Sequence, residues 1–154
     1  MEAKTIRIGL VGYGTVGAGV AKILFENAAE ITARTGLKLE LACVVDKDLT
    51  RSRGFDLPEG LLTDDFEVLL NDTSIVIAIE LVGGTTFAKD IQIRMLKAGK
   101  HVVTANKALL AEYGEELYKI AIEVKRCIAF EASCCGGIPI VSALRTGLAA
   151  NRIS

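Results

Sequence analysis

The sequence predicts an α/β fold, a doubly wound parallel sheet covered by helices on both faces, in three layers α/β/α. The first observation is that strand-like and helix-like segments alternate along the chain. The second is an almost uninterrupted apolar run over residues 75–81, typical of a strand that is buried on both faces. The third is a glycine-rich turn between the first strand-like segment and the first helix-like segment.

Each element follows from its hydrophobic period and from the glycine, proline or polar residues that bound it. The predicted strands are 6–11, 37–45, 75–81, 101–104 and 127–132, and the predicted helices are 14–34, 65–70, 86–98, 107–125 and 139–149. Gly36 predicts the end of the first helix, where glycine is favoured. Residues 47–60 are polar and contain Pro58, which predicts a loop.

Composition and charge exclude several classes of protein. The 18 basic and 19 acidic residues give a net charge of −1, without the basic excess of a nucleic-acid binder. No run of about 18 or more apolar residues predicts a membrane span. Because the N-terminus leads into a strand without a secretory segment, we expect a cytoplasmic protein. The cysteines form no C-x-x-C and His101 is the only histidine, so zinc-site spacing is absent.

The glycine-rich turn is the first candidate binding site. It reads Gly12-Tyr13-Gly14-Thr15-Val16-Gly17, directly after a predicted strand and at the start of a helix. Gly12 permits a tight turn, Gly14 lets the backbone approach a pyrophosphate, and Gly17 allows close packing of helix on strand. The helix N-terminus offers free N–H groups to the phosphates. This context predicts a Rossmann-type site for NAD or NADP, with an ordinary β–α turn as the alternative.

An acidic residue at the end of the second predicted strand bears on the choice of cofactor. In this fold an acid such as Asp46 binds the adenosine ribose 2′-hydroxyl, which favours NAD over NADP. Asp46 lies further beyond the glycine motif than is usual, and the long first helix accounts for the difference. Lys47, Arg51 and Arg53 lie nearby and could hold a 2′-phosphate instead. The sequence therefore favours NAD and leaves NADP open.

Three later segments go beyond a generic nucleotide fold. They are residues 80–84, residues 103–111, and residues 130–133 with 136–140. Each follows a predicted strand, so all three lie at the carboxyl edge of the sheet, where ligands bind. Their sequences, E-L-V-G-G, V-T-A-N-K-A-L-L-A and F-E-A-S…G-G-I-P-I, together with the glycine-rich turn, resemble homoserine dehydrogenase over essentially the whole chain.

The resemblance implies an NAD(P)-dependent oxidoreductase that interconverts L-aspartate 4-semialdehyde and L-homoserine, in the pathway to threonine and methionine. It also implies a homodimer for the full-length protein. In the family the principal catalytic aspartate and lysine lie in a later domain. We therefore expect residues 1–150 to form the NAD(P)-binding domain and residues 151–154 to begin a substrate-binding catalytic domain that this chain lacks. On that basis, this chain alone has little or no turnover.

The same resemblance assigns site residues. Tyr13, Thr15 and Val16 would line the cofactor, and Lys107 would lie near the nicotinamide and the substrate. Further candidates for the cofactor site are Gly83, Thr104, Ala105 and Asn106. Helix N-termini disfavour cations, so a lysine there suggests an anionic or carbonyl partner. Our hypothesis is that Lys107 polarises the aldehyde or places the substrate carboxylate, and the alternative is a solvated surface lysine.

A cation site is also implied. Glu131, with the main-chain oxygens of Cys134, Gly136 and Ile138, would bind a monovalent cation, sodium, because oxygen ligands suit a hard cation. The alternative for Glu131 is a carboxylate that hydrogen-bonds the loop backbone. Here Ser-Cys-Cys-Gly-Gly replaces the family's commoner Ser-Val-Gly-Gly-Gly, and Cys135 predicts strain in a turn of positive φ. The vicinal cysteines allow a redox switch, but reduced thiols are the favoured interpretation.

Two other functions stay open. A stand-alone, non-catalytic NAD(P)-binding or redox-sensing module is compatible with a doubly wound domain, although a sensor has no need of residues 104–107 beside the cofactor. Another aldehyde or imine reductase built on the same first domain is compatible with the fold, since fold does not determine function.

Overall fold

The computed structural model describes residues 3–151 and confirms the predicted three-layer α/β fold. The strands are β1 (Lys4–Val11), β2 (Leu37–Val45), β3 (Leu62–Thr63), β4 (Ile75–Glu80), β5 (His101–Thr104) and β6 (Ile128–Ala129). The helices are α1 (Thr15–Glu26), α2 (Ala28–Thr35), α3 (Phe66–Asn71), α4 (Thr86–Lys97), α5 (Lys107–Glu123), α6 (Glu131–Cys134) and α7 (Ile140–Ser142), followed by a π-helical turn, Ala143–Gly147.

The six strands form one sheet in the order β3-β2-β1-β4-β5-β6, and every neighbouring pair is parallel. The chain builds outward from β1 to β3 and then returns to place β4 on the other side of β1. The order of strands therefore reverses between β1 and β4. In open α/β sheets, the crevice for a ligand lies at the carboxyl ends of the strands at this reversal.

Separate apolar cores cover the two faces of the sheet. On one face α1 packs Ala18 and Ala21 against strand residues such as Leu10. On the other face α4 and α5 bury Ile91 and Leu117. Each crossover between parallel strands is right-handed. The helices that connect strands on one side of the reversal therefore lie on one face of the sheet, and those that connect strands on the other side lie on the opposite face, which explains the two cores.

The first helix departs from the prediction. The predicted helix over 14–34 is two helices, α1 and α2, separated at Asn27. The Asn27 N–H donates to the Ile23 carbonyl at 3.0 Å, but its backbone angles, φ −101° and ψ 14°, leave the helix. The apolar period continues through this point, so periodicity alone does not reveal the break. As predicted, the second helix ends at Gly36, which has φ 72°.

Two later boundaries also differ. The strand predicted over 127–132 covers only Ile128–Ala129, because a helical turn begins at Glu131. The helix predicted over 139–149 is divided into α7 and the π-helical turn. The two-residue strand β3 was not predicted, since a strand that short has no measurable period.

Residues 151–154 are predicted to begin a second domain, and of these residues 152–154 lie outside the described residues, as do residues 1–2. Among residues 3–151, no helix has both the length and the apolar character needed to cross a membrane.

Candidate nucleotide-binding site

The loops at the strand reversal are tied to the sheet by backbone hydrogen bonds. The Gly12 N–H donates to the Val45 carbonyl at 2.8 Å, which joins the glycine-rich turn to β2. The Leu81 N–H donates to the Val11 carbonyl at 2.8 Å, which joins the loop after β4 to β1. These bonds fix both walls of the crevice at the carboxyl edge.

The three motif glycines have three different surroundings. Gly12 has φ +98°, and a Cβ there would lie 2.7 Å from the Leu81 carbonyl group. A Cβ on Gly17 would lie 2.0 Å from the Gly12 oxygen and 3.7 Å from the Leu10 side chain of β1, so α1 packs closely against the turn and the end of the strand before it. A Cβ on Gly14 would meet no protein atom within 4 Å. Gly12 and Gly17 are therefore required by the fold, whereas Gly14 faces open space.

The N-terminus of α1 carries no side-chain cap among the described residues. Gly14 occupies the cap position, and the first turn contains no acidic residue. Asp65 caps α3 and Asn106 caps α5 through their side chains, whereas α2 and α4, like α1, have no side-chain cap. The first N–H groups of a helix have no partner within it, and together with the helix dipole they attract an anion. The residues present at this end of α1 thus fit a pyrophosphate.

Asp46 lies next to this turn, after β2, and its carboxylate has three donors. Its Oδ2 accepts the Tyr13 N–H at 2.6 Å. Its Oδ1 accepts the Asp48 N–H at 2.9 Å and an N–H of Arg53 at 3.1 Å. The Arg53 side chain is 5% exposed and that of Asp46 is 15% exposed, so this ion pair is largely shielded from water. Sequence reasoning treated Asp46 and Arg53 as competing signals for cofactor choice, and the structure pairs them.

The Tyr13 side chain lies under the 47–60 loop. It is 3% exposed, and its hydroxyl donates to the Phe55 carbonyl at 2.7 Å. Burial raises the pKa of Tyr13, while the nearby Arg53 guanidinium, 5.2 Å from the ring centre, lowers it. The phenol therefore serves the packing of this loop, and the part of Tyr13 at the crevice is its backbone. Thr15 and Val16, in contrast, are exposed on the first turn of α1.

A cleft of about 260 Å³ opens beside the first turn of α1, between the loops that follow β4 and β5. It is lined by Val16, Leu81, Val82, Gly83, Ala105, Asn106 and Lys107. The structure thus gathers five of the predicted site residues from the start of α1 and from the loops after β4 and β5, namely Val16, Gly83, Ala105, Asn106 and Lys107. Asp46 lies apart at the end of β2. Lys107 is exposed at the first position of α5, and within the described residues its ammonium forms no ion pair.

Thr104 does not line this cleft, because its side chain is buried behind it. The hydroxyl donates to Glu80 Oε2 at 2.8 Å and accepts the Asn106 N–H at 3.0 Å. The Thr104 carbonyl accepts the hydroxyl of Ser133 at 2.9 Å. Thr104 is predicted to belong to the cofactor site, and in the structure it supports the wall of the cleft from behind.

Glu80 is the functional candidate that sequence reasoning missed. It is 0% exposed at the last position of β4. Its Oε1 accepts the Val82 N–H at 2.8 Å, and its Oε2 accepts Gln92 Nε2 at 2.7 Å as well as the Thr104 hydroxyl. Burial raises the pKa of the Glu80 carboxyl, and these hydrogen bonds lower it. The signal in the sequence that could have identified Glu80 is an acidic residue at the end of an otherwise apolar strand.

Asn106 joins this group of side chains to the cleft. Its Oδ1 accepts the Leu109 N–H at 3.1 Å, which caps α5. Its Nδ2 donates to the Gly84 carbonyl at 2.8 Å, which ties the loop after β4 to the start of α5. We call Glu80, Gln92, Thr104 and Asn106 the Glu80 network.

The predicted cation loop has a different arrangement. Glu131 Oε1 accepts the Val141 N–H at 2.7 Å, and Oε2 accepts the Ser142 N–H at 3.0 Å, so the carboxylate caps α7. This is the backbone-bonding alternative considered for Glu131. The Ile138 carbonyl accepts the Ile140 N–H at 2.8 Å.

The prediction of strain at Cys135 is wrong. Cys135 has an extended backbone with φ −140°, and the positive φ of this loop, 80°, belongs to Gly137. The chain turns two residues later than expected, at a glycine that tolerates it. Cys134 and Cys135 are both exposed, free thiols.

Comparison with known proteins identifies the family. The sequence model described as "Homoserine dehydrogenase, NAD binding domain" matches residues 12–131. Homoserine dehydrogenases of Neisseria gonorrhoeae and Bacillus subtilis are 43% and 42% identical to this chain over 97% and 98% of its length. The crystal structure of a homoserine dehydrogenase from Thiobacillus denitrificans matches with a TM-score of 0.88 and 42% identity over 97% of this chain.

The match covers only part of each relative. This chain spans 34% of the N. gonorrhoeae protein, 35% of the B. subtilis protein and 35% of the T. denitrificans chain. The residues matched by the family model include the glycine-rich turn and all the residues that line the cleft. From the matched residues and the shared fold, the chain belongs to the homoserine dehydrogenase NAD-binding domain family.

Proposed function

We propose that this chain binds NAD(P) within an enzyme that interconverts L-aspartate 4-semialdehyde and L-homoserine. The observation that carries the proposal is the uncapped N-terminus of α1, with open space at Gly14, at the point where the strand order reverses. The nicotinamide cofactor, when bound, supplies or accepts the hydride. The residues of this chain bind it, orient it and keep water from one face of its ring.

In the proposed binding mode, the adenosine half of the cofactor lies near Asp46 and the nicotinamide half lies in the cleft, with the pyrophosphate between them at the start of α1. The N–H groups of Thr15 and Val16 hold the pyrophosphate, because they are the free donors of the first helical turn. Asp46 receives the adenosine ribose. Val16 and Ala105, whose side chains are apolar, would hold the nicotinamide ring in the cleft and exclude water from it.

Gly14→Ala tests this binding mode. The added methyl group meets no protein atom within 4 Å but projects into the space assigned to the pyrophosphate. We expect NADH affinity, measured by calorimetry, to fall on the order of tenfold, which corresponds to about 1.4 kcal/mol. The melting temperature should change little. Gly19→Ala, on the exposed part of the same helix, is the matched control and should leave NADH affinity unchanged. Equal affinities for all three proteins would contradict the proposal.

For cofactor choice, we propose a modest preference for NAD. Asp46 presents a carboxylate to the 2′-hydroxyl and disfavours a 2′-phosphate, but the Arg53 guanidinium offsets part of its charge. The ratio of the NADH and NADPH dissociation constants measures the preference. Asp46→Asn should bring the two constants closer together by weakening NADH binding. Tighter binding of NADPH by the unchanged protein would overturn this assignment.

For Lys107, we propose that its ammonium polarises the aldehyde or holds the substrate carboxylate beside the nicotinamide. Its support is an exposed position in the cleft, without an ion pair among the described residues. In the protein that joins this domain to the rest of the enzyme, Lys107→Ala should lower kcat/KM. Lys119→Ala, on the exposed surface of the same helix, is the matched control. Unchanged turnover after Lys107→Ala would refute the role.

An enzyme is favoured over a stand-alone sensing module because the compared relatives are named as dehydrogenases. The sodium ion also remains part of the proposal. Each Glu131 oxygen already accepts one backbone N–H but keeps a further lone pair, so the loop fits a cation only in part. A melting temperature that rises in sodium chloride but not in choline chloride, and that loses this rise in Glu131→Gln, would support it. No difference between the salts would argue against a cation.

A further inference from the structure

We propose that Glu80 is a positioning residue that sets the geometry of the nicotinamide cleft. Its buried carboxylate joins the loop after β4 to the turn that begins α5. This inference rests on the proposed function, because it takes the cleft beside Lys107 as the site of the nicotinamide ring. Glu80 touches neither cofactor nor substrate in this scheme and acts through the walls of the cleft.

The first step concerns the loop after β4. The Glu80 carboxylate reaches forward along its own chain to accept the Val82 N–H at 2.8 Å. Val82 and Gly83 form one wall of the cleft. An acceptor that is held inside the sheet therefore fixes the backbone of that wall.

The second step concerns the turn before α5. The other carboxylate oxygen accepts the Thr104 hydroxyl at 2.8 Å, and that hydroxyl accepts the Asn106 N–H at 3.0 Å. The Asn106 side chain then returns to the Gly84 carbonyl at 2.8 Å. The hydrogen bonds thus close a ring through both walls, and Lys107 follows directly after this ring.

The third step concerns why a carboxylate stands here. Glu80 is fully buried, and its partners in the described residues are N–H and O–H donors without a cation. A buried charge is costly, and apolar side chains often stabilise a core better. Three donors that converge on one group require an acceptor with two oxygens. The arrangement therefore favours a role in fixing the backbone over a role in stabilising the core.

Glu80→Gln changes this ring with almost no change in volume. Glutamine has one acceptor oxygen and one NH₂ group, whereas all three partners of Glu80 are donors. If the oxygen faces Val82, the NH₂ group faces the Thr104 hydroxyl, which can then only accept from position 80, and the hydroxyl proton loses the acceptor that Glu80 provides. If the NH₂ faces Val82, that N–H loses its acceptor. Either way one donor beside the cleft loses the acceptor that Glu80 provides.

The experiment compares two ligands that share all but one part. ADP-ribose contains the adenosine, the pyrophosphate and a ribose, and NADH adds the nicotinamide ring. For Glu80→Gln we expect NADH affinity, measured by calorimetry, to fall on the order of tenfold, and ADP-ribose affinity to stay within about twofold. Thr104→Val, which removes only the bridging hydroxyl, should give the same ligand-dependent loss. Hydrogen exchange should accelerate in residues 81–84 and 105–109.

Lys100→Met is the matched control. Lys100 is also a buried charged residue, but it lies at the opposite edge of the sheet, where its ammonium donates to the Asp72 and Ile75 carbonyls. This variant should lose stability and keep both affinities. Equal losses of NADH and ADP-ribose affinity in Glu80→Gln, or no loss of either, would overturn the positioning role. If the unchanged protein binds neither ligand, the proposed function itself fails.

Discussion

Gly17→Ala should destabilise this protein far more than the same substitution two residues later in the same helix. The structure places a Cβ on Gly17 at 2.0 Å from the Gly12 carbonyl oxygen, and real Cβ contacts below 3.0 Å are essentially never seen. The helix and the turn must therefore separate by about 1 Å or more. The turn cannot yield easily, because Gly12 itself lies against the Leu81 backbone.

The magnitude follows from these contacts. Overpacking a core costs about 1–3 kcal/mol, and more when the obstacle is backbone, so we expect a loss of about 3 kcal/mol or more for Gly17→Ala. Gly19 is exposed within α1, and a methyl group added there would have no atom within 4 Å, so Gly19→Ala should gain about 0.5–1 kcal/mol. The two variants should thus differ by about 3.5–4 kcal/mol or more.

Urea unfolding followed by circular dichroism measures both values. The slope of free energy against urea should be the same for the two variants, since each unfolds the same chain. A Gly17→Ala protein within about 1 kcal/mol of the unchanged one would refute the packing argument. So would equal destabilisation by the two substitutions.

Two further predictions concern the core and the amino edge of the sheet. Leu69 is 0% exposed beneath Gly9, so Leu69→Ala should cost about 2–5 kcal/mol in urea unfolding, and a smaller loss would mean that the site collapses around the cavity. Burial lowers the pKa of Lys100 below 10.5, while Asp72 raises it. The part of its contribution to stability that depends on this titration is therefore complete above a pH of about 10.5 and is lost as pH falls through the lowered pKa. The stability lost in Lys100→Met should therefore grow as pH rises toward 10, and a constant difference would contradict this.

Sequence reasoning predicted the fold because its signals are local. The alternation of periods, the glycine-rich turn and the apolar run of β4 each depend on residues a few positions apart. The same holds for the end of α2 at Gly36, where one residue supplies the positive φ. The segment 104–107 could likewise be placed at the carboxyl edge, because a parallel sheet brings the ends of its strands together.

The side-chain partners within the site depended on the tertiary structure. Glu80 meets Gln92 and Thr104 from 12 and 24 positions away, and no periodic pattern encodes that meeting. The sequence leaves Arg53 open as a ligand for a 2′-phosphate, whereas the tertiary structure places its guanidinium against the Asp46 carboxylate.

The sequence is sufficient to recognise the glycine-rich turn, but the role of each glycine in it depends on what surrounds that glycine in the folded protein. The open space at Gly14 and the clash at Gly17 belong to the same short motif, yet they have opposite surroundings. Residues that are close in sequence determine which backbone conformations are available, and they therefore determine the glycine-rich turn and the strands of the sheet. Which buried donors and acceptors become neighbours is decided only when distant segments pack, because a buried polar group must find its partner wherever the fold provides one.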